Sequence, residues 1–272
     1  MIAMSTDISP LIEPVVEIAR HAGKEILKIY ESDFEIETKA DQSPLTAADR
    51  AAHGVIVASL TELTPQIPVW SEESAEIPFQ QRAAWSEFWL VDPLDGTKEF
   101  IKRNGEFTVN IALIRDHEPI LGVVHVPVQN RDYYGYQNGG AFVVDALTKA
   151  RPISVCQPAK TPVRVVGSRS HLGSSLEKFL EAVGEHVMVP MGSSLKLCLV
   201  AAGEADIYPR LGPTSEWDTA AAQAVVESAG GHVVDLGGRR ILYNTKAEVL
   251  NPYFLVFGDN SEPWLDYVKT NP

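Results

Sequence analysis

The spacing of apolar residues along the first third of the chain predicts two helices. Apolar side chains recur every three or four positions over residues 11–30, which indicates an amphipathic helix. A second helix is expected to begin after Thr46, which suits an N-cap, and to end near Thr64. Asp49 falls in the first turn of this helix, where a carboxylate interacts favourably with the helix dipole.

Short apolar runs between turn residues then predict an antiparallel sheet. The expected strands are residues 68–70, 88–91, 107–114, 121–128, 133–136 and 141–144. The strand 88–91 is expected to stop at Asp92-Pro93, and Asn138-Gly139-Gly140 is a hairpin turn signal. With the flanking helices, these strands form a layered α+β half.

After about residue 151 the pattern changes to alternating strands and helices. The expected strands are 163–166, 186–189, 205–208 and 232–234, and the expected helices are 175–183, 194–202 and 219–229. This alternation predicts a mixed or parallel sheet covered by helices, so the second half is of the α/β type. We therefore divide the chain into an N-terminal subdomain, residues 1–150, and a C-terminal subdomain, residues 151–272, without internal repeats.

Composition and charge narrow the classes of function. Hydrophobic residues make up 45% of the 272 positions and charged residues 22%, which is typical of a globular protein. The formal net charge of −13 provides no basic face for a nucleic-acid polymer. The apolar runs are too short for a membrane span, the N-terminus lacks a signal-peptide pattern, and the two cysteines are expected to be reduced. A soluble cytoplasmic protein is the expectation.

Three acidic segments lie at strand ends or helix starts. They are Glu72-Glu73, the segment 92–97, and Asp218 in the segment 216–221. An isolated Asp at such a position is more often a turn former or helix N-cap, because its side chain bonds nearby backbone groups. Glu73 points away from Glu72 along an extended chain, so we exclude it from the candidate ligands.

The segment 92–97 has more features of a metal site than of a simple turn. Pro93 fixes φ between two Asp residues, so a turn can direct both carboxylates to one point, with the Leu94 carbonyl as a third oxygen ligand. The N–H groups of Gly96 and Thr97 open a predicted helix and suit a phosphate. Oxygen ligands without His or Cys favour Mg²⁺ or Mn²⁺ over zinc.

These motifs resemble those of a known family. Residues 89–97 are Trp89-Leu90-Val91-Asp92-Pro93-Leu94-Asp95-Gly96-Thr97, with Ser71-Glu72-Glu73 before them and Trp217-Asp218-Thr219-Ala220-Ala221 after them. In this order they resemble the inositol monophosphatase superfamily of Mg²⁺-dependent, lithium-sensitive phosphatases, which has a layered sugar-phosphatase-type fold. Within it, segments 39–53, 95–114, 192–196 and 208–218 are similar to the bacterial 3'(2'),5'-bisphosphate nucleotidases of sulfate assimilation. The likeness extends from the first helix to about Val234.

The resemblance implies a set of metal ligands. One Mg²⁺ would be held by Glu72, Asp92 and the Leu94 carbonyl. A second would be held by Asp92, Asp95 and Asp218, so that Asp92 bridges the two ions. A third, weaker ion would lie near Glu72, and Mn²⁺ could replace Mg²⁺. One ion lowers the pKa of the attacking water and the other stabilises the leaving oxygen.

The resemblance also implies catalytic and substrate-binding residues. The Thr97 hydroxyl, paired with Asp49, would polarise the attacking water; from the residues alone, Asp49 is equally a partner of the helix dipole. The substrate-binding set would be Glu72, Leu94, Asp95, Gly96, Thr97, Ser168, His171, Lys196 and Asp218. The implied reaction converts adenosine 3',5'-bisphosphate, or its sulfated form, to the 5'-nucleotide and phosphate.

Residues of the second half are expected to select the substrate. Ser168 and His171 follow a strand and open a helix, a suitable place for a second phosphate or a ribose hydroxyl. Lys196 and Arg210 are cations in an acidic chain, and by charge alone each is more often a solvated surface residue. Arg210 could equally pair with Glu216.

Three other interpretations remain open at this point. An inositol or sugar monophosphatase would share every metal ligand and differ only in the second half. A non-catalytic metal-binding homologue is disfavoured because each acidic position and Thr97 are present. A dinucleotide-binding oxidoreductase is disfavoured because no Gly-x-Gly-x-x-Gly follows the first strand.

The expected partner is a small nucleotide bisphosphate. The resemblance leaves a peripheral association with the inner face of the cell membrane open, although the chain has no basic amphipathic helix that would explain one. A monomer and a homodimer are both compatible with the sequence.

Overall fold

Two large β-sheets and the helices that cover them build the part of the chain that positions the acidic segments; a third sheet has only two antiparallel strands. The computed structural model describes residues 7–33, 36–38, 44–74, 76–145, 148–167 and 174–269. The helices are α1 (Ile12–Tyr30), α2 (Ala47–Leu63), α3 (Phe79–Arg82), α4 (Thr97–Ile101), α5 (Ser174–Val183), α6 (Leu195–Ala201), α7 (Glu216–Ser228) and α8 (Trp264–Lys269). The strands are β1 (Ile36–Thr38), β2 (Pro44–Thr46), β3 (Val69–Ser71), β4 (Glu87–Asp95), β5 (Thr108–Arg115), β6 (Glu118–Val126), β7 (Arg131–Tyr136), β8 (Gly140–Asp145), β9 (Arg151–Ile153), β10 (Val163–Gly167), β11 (His186–Pro190), β12 (Ile207–Arg210), β13 (His232–Asp235) and β14 (Phe254–Phe257).

The first sheet has seven strands in the order β3-β4-β5-β6-β7-β8-β9. Only β3 and β4 run parallel, and the other neighbours are antiparallel. Side chains alternate between the faces of β4: Trp89 and Val91 pack in the core of α1 and α2, whereas Phe88 and Leu90 pack in the core that contains α7. Both faces are therefore buried, which explains the nearly continuous apolar runs of these strands.

The second sheet is mixed, with the strand order β11-β10-β12-β14-β13. Strand β10 is parallel to β11 and β12, whereas β14 is antiparallel to β12 and β13. Helices α6 and α7 lie between the two sheets, and α5 and α8 pack on the outer face of the second. The layers thus alternate helix, sheet, helix, sheet, helix, which confirms the predicted layered fold class. None of the described helices combines the length and hydropathy needed to cross a bilayer.

Several element boundaries differ from the predictions. Strand β4 does not stop at Asp92-Pro93 but continues to Asp95. Helix α7 begins at Glu216, three residues before the predicted start. Strands β9 and β14 have no counterpart among the predicted elements; β9 pairs with β8, so the first sheet extends just past residue 150. The subdomain division at that position stays a prediction.

The contact between β6 and α7 depends on a glycine. A Cβ atom at Gly122 would lie 2.0 Å from the backbone oxygen of Ala221 in α7. We expect Gly122→Ala to destabilise the protein by about 1–3 kcal/mol, because neither backbone can retreat without repacking the core. For a chain of this size, at about 2–4 °C per kcal/mol, Tm should fall by roughly 2–12 °C, measured by calorimetry.

Gly54 in α2 provides the matched control. It is exposed, and no atom of the described residues outside its own helix turn lies within 4 Å of the place that a Cβ atom would take. Gly54→Ala should leave Tm unchanged or raise it, since Ala is the better helix former by about 1 kcal/mol. An unchanged Tm in Gly122→Ala would show that β6 and α7 are not in backbone contact.

Candidate metal centre and substrate cavity

An irregularity in β4 brings the two Asp residues of the segment 92–97 together. Asp92 pairs with Asn110 of β5 and Asp95 pairs with Thr108, so that Pro93 and Leu94 stand opposite one residue. In a regular strand, residues three apart point to opposite faces, but this bulge returns both Asp residues to the same face. A bulge is also where a strand tolerates proline, which has no N–H for the ladder. The predicted turn is therefore a bulged strand end.

Asp218 reaches the same point from the first turn of α7. Its Oδ2 accepts the Ser215 N–H at 2.9 Å in a capping box, so the helix-cap interpretation is correct for one carboxylate oxygen. One oxygen each of Asp92, Asp95 and Asp218 can be chosen so that all three lie within 4.8 Å of one another. Glu72 follows β3, donates its N–H to the Val91 oxygen at 3.0 Å, and acts electrostatically on Asp92 and Asp218. The structure thus places all four predicted carboxylates in one region.

The electrostatics of this cluster indicate a cation site. Burial raises the pKa of Asp92 well above its ordinary value, and Glu72, Asp95 and Asp218 raise it further. Burial and then Asp95 likewise raise the pKa of Asp218, to about 8. Carboxylates that are this close and this poorly solvated repel one another as anions. A set of mutually repelling oxygen donors fits Mg²⁺ or Mn²⁺, because a bound divalent cation favours the ionised form of each carboxylate.

Asp49 and Thr97 lie beside the cluster. Asp49 in α2 is buried, and its Oδ1 is 3.5 Å from the Thr97 hydroxyl, which is also 3.4 Å from the Leu94 carbonyl. Gly96, directly before α4, has φ of +93°, and a side chain there would crowd the Glu106 oxygen and Ser193. Only glycine adopts this conformation without strain, which explains the glycine at this position, while the predicted approach of its backbone to a phosphate stays a prediction.

A cavity of about 740 Å³ opens next to the acidic cluster. Its walls include Asp95 and Asp218 on the acidic side and the cations Lys98, Lys196 and Arg210. This volume lies within the range of ligand sites for small molecules. A site that combines carboxylates with several cations can hold a metal ion and an anionic ligand together.

Lys196 is not the solvated surface charge that its sequence position suggested. Lys196 is only 8% exposed. Its Nζ donates to the Ser193 carbonyl at 2.7 Å and lies 5.6 Å from the ring centre of Tyr208. Burial lowers the pKa of Lys196 to about 8, and the charge of Asp95 partly opposes this. Lys196 therefore presents a poorly hydrated ammonium group to the cavity.

Arg210 also faces this cavity rather than Glu216. Its terminal nitrogen donates to the Pro213 carbonyl at 2.6 Å, while the buried Nε has no hydrogen-bond partner within the described part of the chain. Glu216 instead accepts the Asn244 N–H at 2.8 Å. A buried guanidinium N–H beside a cavity is a ready donor for an anion.

Three polar residues behind Asp95 have no role in the sequence-based predictions. The hydroxyl of Ser194, directly before α6, lies 2.6 Å from Asp95 Oδ2, and Asn110 and Thr108 of β5 approach the same oxygen at 3.4 and 3.5 Å. Thr108 and Asn110 are buried polar residues two apart in an otherwise apolar strand. That spacing is a usable signal, because buried polar side chains on one strand face need partners. Ser168 and His171, predicted to bind the nucleotide, lie outside the described residues.

Comparisons with known proteins agree with this geometry. The inositol monophosphatase family model matches residues 7–259. The 3'(2'),5'-bisphosphate nucleotidase CysQ of Salmonella typhimurium is 49% identical over 248 residues, which cover 90% of this chain and 99% of that protein. The corresponding protein of Escherichia coli K12 is 48% identical over the same shares.

A solved structure shows the same fold. The crystal structure of CysQ from Bacteroides thetaiotaomicron, a bacterial member of the inositol monophosphatase family, superposes with a TM-score of 0.82 at 41% identity. It covers 92% of this chain and 98% of that one. The family match spans both sheets and all three acidic segments, as the resemblance of the motifs implied. The chain therefore belongs to the inositol monophosphatase family.

Proposed function

We propose that the protein is a Mg²⁺-dependent phosphomonoesterase that hydrolyses adenosine 3',5'-bisphosphate to AMP and phosphate. One observation carries the proposal: Asp95 and Asp218 of the acidic cluster line the same cavity as the buried Lys196 and the partly buried Arg210. An inositol monophosphate has a single phosphate for the metal centre, whereas a nucleotide bisphosphate has a second anionic group for these cations. Relatives at 48–49% identity with the name bisphosphate nucleotidase support this assignment.

Within this proposal, Glu72, Asp92, the Leu94 carbonyl, Asp95 and Asp218 hold two Mg²⁺ ions, with a weaker third near Glu72. When bound, the ions supply charge neutralisation for the phosphate and acidify the attacking water. The carboxylates contribute by keeping their oxygens close together before any cation arrives, so little reorganisation is needed.

The chain's own groups orient the water and the phosphate. The Thr97 hydroxyl accepts a hydrogen bond from the attacking water and donates a hydrogen bond to Asp49, whose Oδ1 lies 3.5 Å away. The N–H groups of Gly96 and Thr97, at the start of α4, bind phosphate oxygens. The water oxygen forms the new bond to phosphorus and the bond to the 3'-oxygen breaks; one proton of the water ends on the leaving 3'-hydroxyl and the other stays on the released phosphate.

A substrate panel tests the proposal. The purified full chain with Mg²⁺ should release phosphate from adenosine 3',5'-bisphosphate with a higher kcat/KM than from inositol 1-phosphate, and the nucleotide product should be the 5'-monophosphate. Adenosine 5'-monophosphate is the control, since it retains the adenosine but lacks the 3'-phosphate. A higher kcat/KM on inositol 1-phosphate would overturn the nucleotide assignment and favour the inositol phosphatase alternative.

Lithium should inhibit the reaction at millimolar concentration. Li⁺ can enter the oxygen cage of Asp95 and Asp218, but it has half the charge of Mg²⁺ and stabilises the leaving oxygen less. Inhibition should weaken as Mg²⁺ is raised at fixed substrate, which initial rates over a matrix of the two salts will show. Potassium at equal ionic strength is the control. If inhibition by Li⁺ does not change with the Mg²⁺ concentration, the two ions do not compete at this site.

A further inference from the structure

Hydrogen bonds from the described part of the chain converge on one oxygen of the Asp95 carboxylate. Its Oδ2 accepts the Ser194 N–H at 2.5 Å and the Ser194 hydroxyl at 2.6 Å, with Asn110 Nδ2 at 3.4 Å. Short hydrogen bonds to a carboxylate oxygen are among the stronger ones in proteins. They hold Oδ2 toward the protein and leave Oδ1 as the oxygen for a cation.

Ser194 also connects Asp95 to the helix that carries Asp218. Its hydroxyl is 2.5 Å from the Asp218 backbone carbonyl and accepts from Asn110 Nδ2 at 2.9 Å. Ser194 is 2% exposed, so water cannot replace these partners. A hydroxyl has one proton, so Ser194 donates to either Asp95 Oδ2 or the Asp218 carbonyl at any moment, while it accepts from Asn110.

Strand β4 and helix α7, which also pack together in the core, both contact Ser194 beside the acidic cluster. Asp95 ends β4 of the first sheet, whereas Asp218 lies on α7, whose first turn is distant in sequence. The distance between their carboxylates decides whether both can contact one ion, because Mg²⁺ requires oxygen ligands at about 2.1 Å in near-octahedral geometry. A contact that fixes both elements also fixes this distance.

We propose that Ser194 is a positioning residue of the metal centre, whose hydroxyl orients the Asp95 carboxylate and ties it to the Asp218 helix so that both can bind the same divalent cation. This inference rests on the metal site of the proposed function but not on the identity of the substrate. Asn110 supports Ser194, and Thr108 supports Asn110 through a hydrogen bond of 3.0 Å to its Oδ1.

Binding of Mg²⁺ in the absence of substrate tests the role of Ser194. In Ser194→Ala, the dissociation constant for Mg²⁺, measured by calorimetric titration of the purified full chain, should rise about ten- to a hundredfold, the usual effect of losing a group that orients a metal ligand. The Mg²⁺ concentration for half-maximal phosphate release should rise in parallel.

Thr64→Val is the matched control for the loss of a buried hydroxyl. The Thr64 hydroxyl accepts from Trp89 Nε1 at 2.9 Å and donates to the Leu60 carbonyl at 3.1 Å. It lies beyond the far end of α2 from Asp49, roughly 20 Å along the helix axis. Thr64→Val should lower Tm, yet its Mg²⁺ affinity should equal that of the wild type. A merely structural role of Ser194 would give the same result in both variants.

The outcomes separate the two levels of the proposal. If the wild type binds Mg²⁺ and the dissociation constant of folded Ser194→Ala is within twofold of the wild-type value, the positioning role is overturned while the metal site stands. If the wild type binds no Mg²⁺, the metal site of the proposed function fails with it. If Ser194→Ala does not fold, Thr108→Val tests the positioning role instead. It should weaken Mg²⁺ binding by about threefold, the effect of losing a neutral hydrogen bond. Unchanged Mg²⁺ binding in Thr108→Val would overturn the positioning role of Ser194.

Discussion

Replacing Asp92 by Asn should lower kcat by about a hundredfold or more, equivalent to ~2.7 kcal/mol of transition-state stabilisation. Asp92 is 2% exposed and belongs to the acidic cluster with Asp95 and Asp218. The proposed mechanism, following the family resemblance, assigns it as the ligand shared by two ions. The substitution keeps the size of the side chain but removes its negative charge, which weakens both ion sites at once. Initial rates at saturating adenosine 3',5'-bisphosphate and raised Mg²⁺ measure the effect.

Protein stability provides the control for Asp92→Asn. Burial and three neighbouring carboxylates raise the pKa of Asp92 in the folded protein, so its ionised form costs stability above the ordinary pKa of Asp, near 4. With Mg²⁺ removed by EDTA, the variant should therefore have a Tm at least equal to that of the wild type. Its advantage should grow from pH 5 to pH 8. A variant that retains more than about a tenth of the wild-type kcat would contradict the bridging role.

Replacing Lys196 by Ala should raise KM for adenosine 3',5'-bisphosphate about ten- to a hundredfold with little change in kcat. A charge-assisted hydrogen bond is worth roughly 1.5–3 kcal/mol, and a contact with the nucleotide acts alike on ground and transition states. Lys196→Met should have the same effect, since it keeps most of the aliphatic stem and removes the ammonium group. KM for a small monophosphate without adenosine should hardly change.

The pH profile identifies the ammonium group of Lys196. Because burial lowers the pKa of Lys196 to about 8, its positive charge is present at pH 7 and is lost as pH rises through 8. In the wild type, kcat/KM for the bisphosphate should fall across this range, and the Lys196 variants should lack that part of the fall. Lys28→Ala removes one exposed lysine on α1 and controls for net charge at constant ionic strength. Equal losses on both substrates would place Lys196 at the reacting phosphate instead.

Local sequence signals are sufficient to predict most of the first sheet. The hairpin at Asn138-Gly139-Gly140 is predictable because Asn and Gly adopt positive φ at little cost, and Asn138 and Gly140 do adopt it. The acidic segments are also predictable from local sequence, because each follows a strand or begins a helix. Fold class and the position of the candidate site are therefore accessible from the order of residues alone.

Features that depend on distant partners are not accessible in this way. The apolar run Phe254–Phe257 is a local strand signal that our predictions missed, but its pairing with β12 and β13 depends on distant parts of the chain. Lys196 is buried only because α6 packs between two sheets, and a single lysine in a sequence does not reveal that environment. The course of β4 past Pro93 depends on its pairing with β5, which the local sequence does not show.

The bulge in β4 also sets the distance between the carboxylate oxygens of Asp92 and Asp95. Alternate side chains on one face of a regular strand are about 6.6–6.8 Å apart, whereas two oxygens bound to one Mg²⁺ are only about 3 Å apart. Crowding Pro93 and Leu94 opposite a single residue shortens the span from Asp92 to Asp95, and their oxygens approach within 4.8 Å. At that separation the two carboxylates can reach one cation together, which they could not do from the opposite faces of a regular strand.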